Sequence, residues 1–130
     1  MAQLGDNARK LFDAKNFATV TTLQPDGTPH SSVVWVKTED DEVHFSTTKD
    51  RRKYQNLQYD PRATVLVFDP ADPYHYAEVR GEVTVEDDPQ SVLINELSRK
   101  YTGADYTNDP PGAQRVIIRI TPRKVVVRGD

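Results

Sequence analysis

The hydrophobic period of the chain changes early. Leu4, Ala8, Leu11 and Phe12 recur at helical spacing, with Asp6, Arg9, Lys10 and Asp13 between them, and predict a short amphipathic helix. Residues 17–23 (FATVTTL) are β-branched and predict a strand. Residues 24–27 (QPDG) form a turn, proline setting φ and glycine taking a positive φ. A second strand is predicted over 29–37 (PHSSVVWVK), a turn over 38–41 and a third strand over 42–46 (EVHFS).

A helix follows over 50–59, with Tyr54 and Leu57 as its apolar points. Asp60-Pro61 ends it, because the residue before proline avoids the helical region. Residues 62–68 (RATVLVF) are nearly all apolar and predict a strand covered on both faces, and 69–73 (DPADP) a rigid loop. Over 74–86 the alternation is long: Ala77, Val79, Gly81, Val83 and Val85 share one face, Tyr76, Glu78, Arg80, Glu82 and Thr84 the other. Asp88-Pro89 reads as a helix N-cap followed by proline at the first helical position, opening a helix with Leu93, Ile94, Leu97 and Tyr101. After a polar loop over 102–112, two closing strands are expected over 116–120 and 124–127, separated at Thr121-Pro122. The sum is about seven strands and three short helices, a mainly β class. Most connections are too short for crossovers, so antiparallel neighbours are favoured, and a closed or partly closed barrel removes exposed edges.

At 130 residues the chain is expected to form a single domain over 1–130. Its hydrophobic fraction of 36% is low enough that a partner subunit is expected to complete part of the apolar surface. A net charge of -3 disfavours nucleic acid and anionic membranes as partners. The absence of cysteine excludes disulfides, thiolate metal sites and thiol catalysis. No stretch approaches the ~20 apolar residues of a membrane span, and no signal-peptide run is present, so a cytoplasmic protein is expected.

Against this acidic background, residues 46–57 (STTKDRRKYQNL) concentrate Lys49, Arg51, Arg52 and Lys53 at the start of a predicted helix. Charge runs usually lie on a solvated face. Here, however, the cations crowd a helix end whose dipole and free N–H groups already favour negative charge. Asp50 answers that preference as an expected N-cap. The four cations do not, and their placement asks for an anion such as a phosphate. Ser46, Thr47 and Thr48 add hydroxyl donors upstream. No GxGxxG or P-loop pattern occurs. His30, His44 and His75 have no metal-ligand spacing, so no metal site is expected. Ser31 and Ser32 lack a base and an oxyanion motif, which argues against a hydrolase.

The motif R-x-K-x-x-N-L-x-x-D-P-R, carried by Arg51, Lys53, Asn56, Leu57, Asp60, Pro61 and Arg62, resembles the flavin/deazaflavin-binding split-barrel family, which includes pyridoxamine 5′-phosphate oxidases and coenzyme F420-dependent reductases. The D-G-x-P turn at Asp26, Gly27 and Pro29 and the aromatic-to-glycine strand from Tyr74 to Gly81 support the resemblance, which covers most of the chain. The pattern is most similar to actinobacterial F420-dependent members. It implies a split β-barrel and a homodimer with the cofactor between protomers. The implied activity is an oxidoreductase passing hydride from reduced F420 to an enone, quinone or similar acceptor. The resemblance also leaves open FMN as cofactor, in a pyridoxamine 5′-phosphate oxidase-like enzyme, or a non-catalytic carrier. By the same resemblance, Arg51 and Lys53 hold the cofactor phosphate with Ser46 and Thr47. His30, Ser32, Val33 and Val34 lie beside the ring system, and Tyr74 and Tyr76 approach ring or substrate from the second subunit. Val33 and Trp35 stand where relatives often carry polar residues, which leaves the ring-side hydrogen bonds and the substrate preference open.

Overall fold

The computed structural model describes residues 2–129. Its elements, in chain order, are α1 (Gly5–Asp13), β1 (Ala18–Leu23), β2 (Pro29–Val34), β3 (Lys37–Glu39), β4 (Glu42–Thr48), α2 (Arg52–Tyr59), β5 (Arg62–Asp69), β6 (Asp72–Asp87), α3 (Val92–Thr102) and β7 (Arg115–Arg128). All strand pairs are antiparallel, in one seven-stranded sheet ordered β2-β1-β5-β6-β7-β4-β3. The two edge strands, β2 and β3, are consecutive in the chain and separated only by Trp35 and Val36. The sheet therefore curls until its edges nearly meet, which is the split barrel. One core runs through it, with Val20, Phe45, Val65, Val79 and Ile118 from the strands and Ala8, Leu11 and Phe12 from α1. Complete burial of a side chain such as Phe12 contributes on the order of 2 kcal/mol.

The number of strands matches the expected seven, but three of the expected ones are drawn differently. The strand expected over 29–37 is two strands: the alternation of burial continues through Trp35, but the ladder partner changes there, β2 pairing with β1 and β3 with β4. The two closing strands expected over 116–120 and 124–127 are one continuous β7. Pro122 is tolerated there because the ladder with β6 shifts register between Arg80 and Gly81, opposite it. The rigid loop expected over 69–73 shrinks to a tight connection, with Asp69 paired to Asp72. β5 is not covered on both faces: Ala63, Val65 and Val67 are buried, whereas Phe68 is 41% exposed.

Both predicted N-caps are also corrected. α2 is capped by Arg51 in extended conformation rather than by Asp50, whose carboxylate accepts the Thr48 hydroxyl instead. α3 starts at Val92 behind Ser91, later than Asp88-Pro89 implied. Asp88 still does the chemical work of a cap, accepting the amides of Val92 (3.0 Å) and Leu93 (2.9 Å). From its far end, α3 ties the split together. Lys100 Nζ donates to the carbonyls of Phe12 (2.8 Å) and Val36 (2.6 Å), and Tyr101 Oη donates to the Asn16 carbonyl (2.6 Å). Phe12 lies in the last turn of α1, where carbonyls lack helical partners, so Lys100 satisfies one of them.

Candidate functional site

A cavity of about 350 Å³ opens beside the split, between β2, β4, the start of α2 and α3. One end is cationic. Lys53, in the first turn of α2, is only 8% exposed. Arg51 precedes the helix with an extended backbone, so it is not bound by helical spacing and reaches the same cavity as Lys53. Arg115, at the start of β7, joins them because the β4–β7 ladder pairs it with Thr48. Ser46 and Thr47 on β4 complete this end.

Burial, then the charges of Arg51 and Arg115, pull the Lys53 pKa below the ordinary lysine value of 10.5. Among the described residues no carboxylate forms an ion pair with Lys53 or Arg51, while Arg115 is paired with Asp109 at 2.8 Å. The first turn of α2 contains no acidic residue and its N-cap has no side-chain hydrogen bond. Converging cations, hydroxyl donors and an uncapped helix N-terminus are the donor set for a phosphate group. The residues present thus fit the phosphate of a flavin or deazaflavin cofactor.

The other end is apolar and aromatic. Phe17, Val33, Trp35, Ile94 and Leu97 line it. Trp35 stacks on Tyr101 with centroids 5.4 Å apart and planes at 11°, and meets the edge of Tyr106 at 6.1 Å. Phe17 (60% exposed) and Val33 (64% exposed) leave apolar surface at the mouth. A flat ring system suits such walls.

Of the residues singled out from sequence, Val33, Val34, Ser46, Thr47, Arg51 and Lys53 meet at this cavity. His30 and Ser32 do not line it. They lie further along β2, where His30 Nδ1 and Ser32 Oγ are buried without a protein hydrogen-bond partner. Tyr76 lines a separate hollow on the outer face of β5, β6 and β7, and Tyr74 is 82% exposed, so neither reaches this cavity. Of the remaining cations, Lys49 pairs with Asp87 at 3.0 Å and Arg52 is exposed. Sequence reading missed Arg115, Tyr106 and Asn108, and took Trp35 for a core or interface residue as well as a departure from relatives. Nothing local marks Arg115, whose role depends on a strand pairing.

The chain belongs to the pyridoxamine 5′-phosphate oxidase family, whose model matches residues 4–128. Among solved structures it is similar to an F420 reductase at 32% identity, over 91% of this chain and 94% of that one, with a TM-score of 0.82. Two others share the fold. A conserved hypothetical protein from Mycobacterium tuberculosis has 24% identity over 96% of this chain and 82% of that one, TM-score 0.75. A pyridoxamine 5′-phosphate oxidase-related, FMN binding protein from Nostoc punctiforme has 17% identity over 85% and 73%, TM-score 0.61. No protein of curated function matches the sequence. The family and the 32%-identical reductase together point to an oxidoreductase-like protein. Among the described residues no helix is long and apolar enough to cross a membrane.

Proposed function

We propose that the protein is an F420H2-dependent oxidoreductase acting on a conjugated small-molecule acceptor such as an enone or quinone. The reduced deazaflavin supplies the hydride when bound. The chain's own residues bind and orient: Arg51 and Lys53, with Ser46 and Thr47, hold the phosphate, and Phe17, Val33 and Trp35 wall the ring end against water. The observation that carries the choice of F420 over FMN is that the cationic end borders more than one cavity. A second cavity of about 320 Å³, lined by Lys49, Asp109 and Gln114 among others, shares Arg51, Tyr106 and Asn108 with the first. The phosphodiester of F420 continues beyond its phosphorus into an acidic tail, whereas the monoester of FMN ends there.

Side-by-side titration with F420 and FMN tests this reading, followed by the fluorescence of Trp35, the single tryptophan. F420 is expected to quench it at micromolar concentration while FMN leaves it unchanged. A yellow protein as purified, or tighter FMN binding, would overturn the reading in favour of an FMN-dependent oxidase. Turnover of reduced F420 with a panel of enones then separates an enzyme from a carrier.

The working unit in this proposal is a homodimer, in which the outer face of β5, β6 and β7 packs against a second copy. Leu66, Phe68, Tyr76 and Val126 give that face an apolar centre, with Glu78, Lys124 and Arg128 around it. Both charge signs on one patch suit a twofold, self-complementary contact. Phe68→Lys is expected to shift sedimentation from dimer to monomer. A wild-type protein that sediments as a monomer at all concentrations would remove this part of the proposal.

A further inference from the structure

The hydrogen bonds of Arg115 use only one edge of its guanidinium fully. Its Nε donates to Asp109 Oδ2 (2.9 Å) and its Nη2 to Asp109 Oδ1 (2.8 Å), a forked pair. On the other side Nη1 meets only the Ser46 hydroxyl, at 3.4 Å. A guanidinium carries five N–H donors, so donors remain on the side shared with Ser46, Lys53 and Arg51, which line the cavity with it. The Arg115 side chain is 6% exposed, so those donors are shielded from bulk water. Three cations, Arg51, Lys53 and Arg115, meet here against the single paired carboxylate of Asp109.

Asp109 belongs to the segment between α3 and β7, most of which is exposed. Besides the forked pair, the Tyr106 amide donates to Asn95 Oδ1 (2.9 Å), Arg99 Nε donates to Asp105 Oδ1 (2.6 Å) and the Lys49 amide to the Gln114 carbonyl (3.1 Å), and the Tyr106 ring lies under the Arg115 guanidinium at 5.0 Å with Trp35 against its edge. Tyr106 and Asn108 of the same segment line both cavities. Arg115 thus faces the anion site with one edge and holds the covering segment with the other.

We infer that Arg115 is a third ligand of the anion held by Arg51 and Lys53, and that through Asp109 it couples occupancy of that site to the seating of residues 103–114 over both cavities. The inference rests on the phosphate site proposed above and adds a residue and a moving part to it. An anion on the free edge fixes the guanidinium in the orientation that the Asp109 fork requires. A seated segment reciprocally presents Arg115 to the anion, as linkage demands. The repulsion that Arg115 exerts on Lys53 agrees with both charges facing one point.

The test uses inorganic phosphate as the probe, at constant ionic strength with chloride as control. Binding and amide hydrogen exchange at Tyr106 and Ala113 are read together. In the wild type, phosphate is expected to bind and to slow exchange at both amides several-fold. Arg115→Lys keeps a charge but not the fork, and is expected to bind phosphate at least ~10-fold more weakly and to lose the protection. Asp109→Asn is expected still to bind phosphate, with affinity lowered by no more than the several-fold coupling that is lost, and to gain no protection in the segment. This last pattern is one that a merely structural latch would not produce. Phosphate binding that is lost in Lys53→Met but leaves segment exchange unchanged in the wild type would overturn the coupling and leave the phosphate site standing. Undiminished affinity in Arg115→Lys would remove Arg115 from the site, and protection persisting in Asp109→Asn would break the relay. A wild type that does not bind phosphate at all overturns both the site and the coupling. The wild-type and Asp109→Asn measurements stand even where Arg115→Lys does not fold.

Discussion

Replacing Gly81 by alanine lowers the unfolding free energy by about 3 kcal/mol or more. A Cβ built at Gly81 would lie 2.1 Å from the Thr121 carbonyl oxygen and 2.9 Å from its carbon. Both atoms are backbone of the neighbouring strand and cannot rotate away. β6 would have to separate from β7 at the point where their register shifts, opening the ladder that joins the two halves of the barrel. The midpoint of thermal unfolding is expected to fall by on the order of 10 °C. Gly103→Ala is the contrast. Gly103 ends α3 in the left-handed region at φ 86° with nothing within 4 Å of a new Cβ, so it costs only about 1 kcal/mol from backbone strain. Urea unfolding of the two variants checks the argument. Equal losses would mean that the close approach at Thr121 relaxes without cost.

Lys53→Met is expected to move stability and binding in opposite directions. A buried ammonium facing Arg51 and Arg115 with no carboxylate partner costs folding free energy, and methionine keeps the unbranched apolar stem without the charge. The ligand-free variant should therefore be more stable than wild type at neutral pH, by on the order of 1 kcal/mol. Its affinity for a phosphate-bearing cofactor should fall ~10- to 100-fold, the loss of one charge-assisted contact. The pH dependence has a definite sign. Below the depressed Lys53 pKa the lysine is charged in both folded and unfolded chains and the full penalty applies. Between that pKa and the ordinary 10.5 the unfolded chain binds the extra proton, so wild-type stability rises with pH relative to the variant. Cofactor affinity falls across the same window as the ammonium is lost. Urea melts without ligand, paired with F420 titrations, measure both. A ligand-free Lys53→Met that is less stable than wild type would show that the ammonium stabilises the empty fold, contrary to the argument.

The resemblance carried by Arg51, Lys53 and Asn56 to Arg62 led to the family, and the family match over residues 4–128 agrees with it. The placement of individual site residues was less legible. Arg51 and Lys53 converge because Arg51 lies just outside the helix, a detail set by where α2 begins. His30 and Ser32 were grouped with Val33 and Val34 by adjacency on one strand, but only the last two line the cavity at the split. Tyr74 and Tyr76 lie on the barrel's outer face, where a second copy is proposed to pack.

The sequence alone determined most of the elements and their inward faces, because both follow from local spacing, but not where every strand and helix begins and ends. Alternation over 77–85 put Ala77 and Val79 inside, and the clash between four cations and a helix N-terminus called for an anion near Lys53. The tertiary structure decided which strands are neighbours, and with that the site. Only the β4–β7 pairing brings Arg115 to Ser46 and Lys53, and only the approach of Thr121 explains why position 81 is glycine. Hydrophobic periodicity says which way a side chain faces but not what lies across from it. Contacts between residues distant in sequence are set by the packing of the whole barrel, which no local pattern encodes.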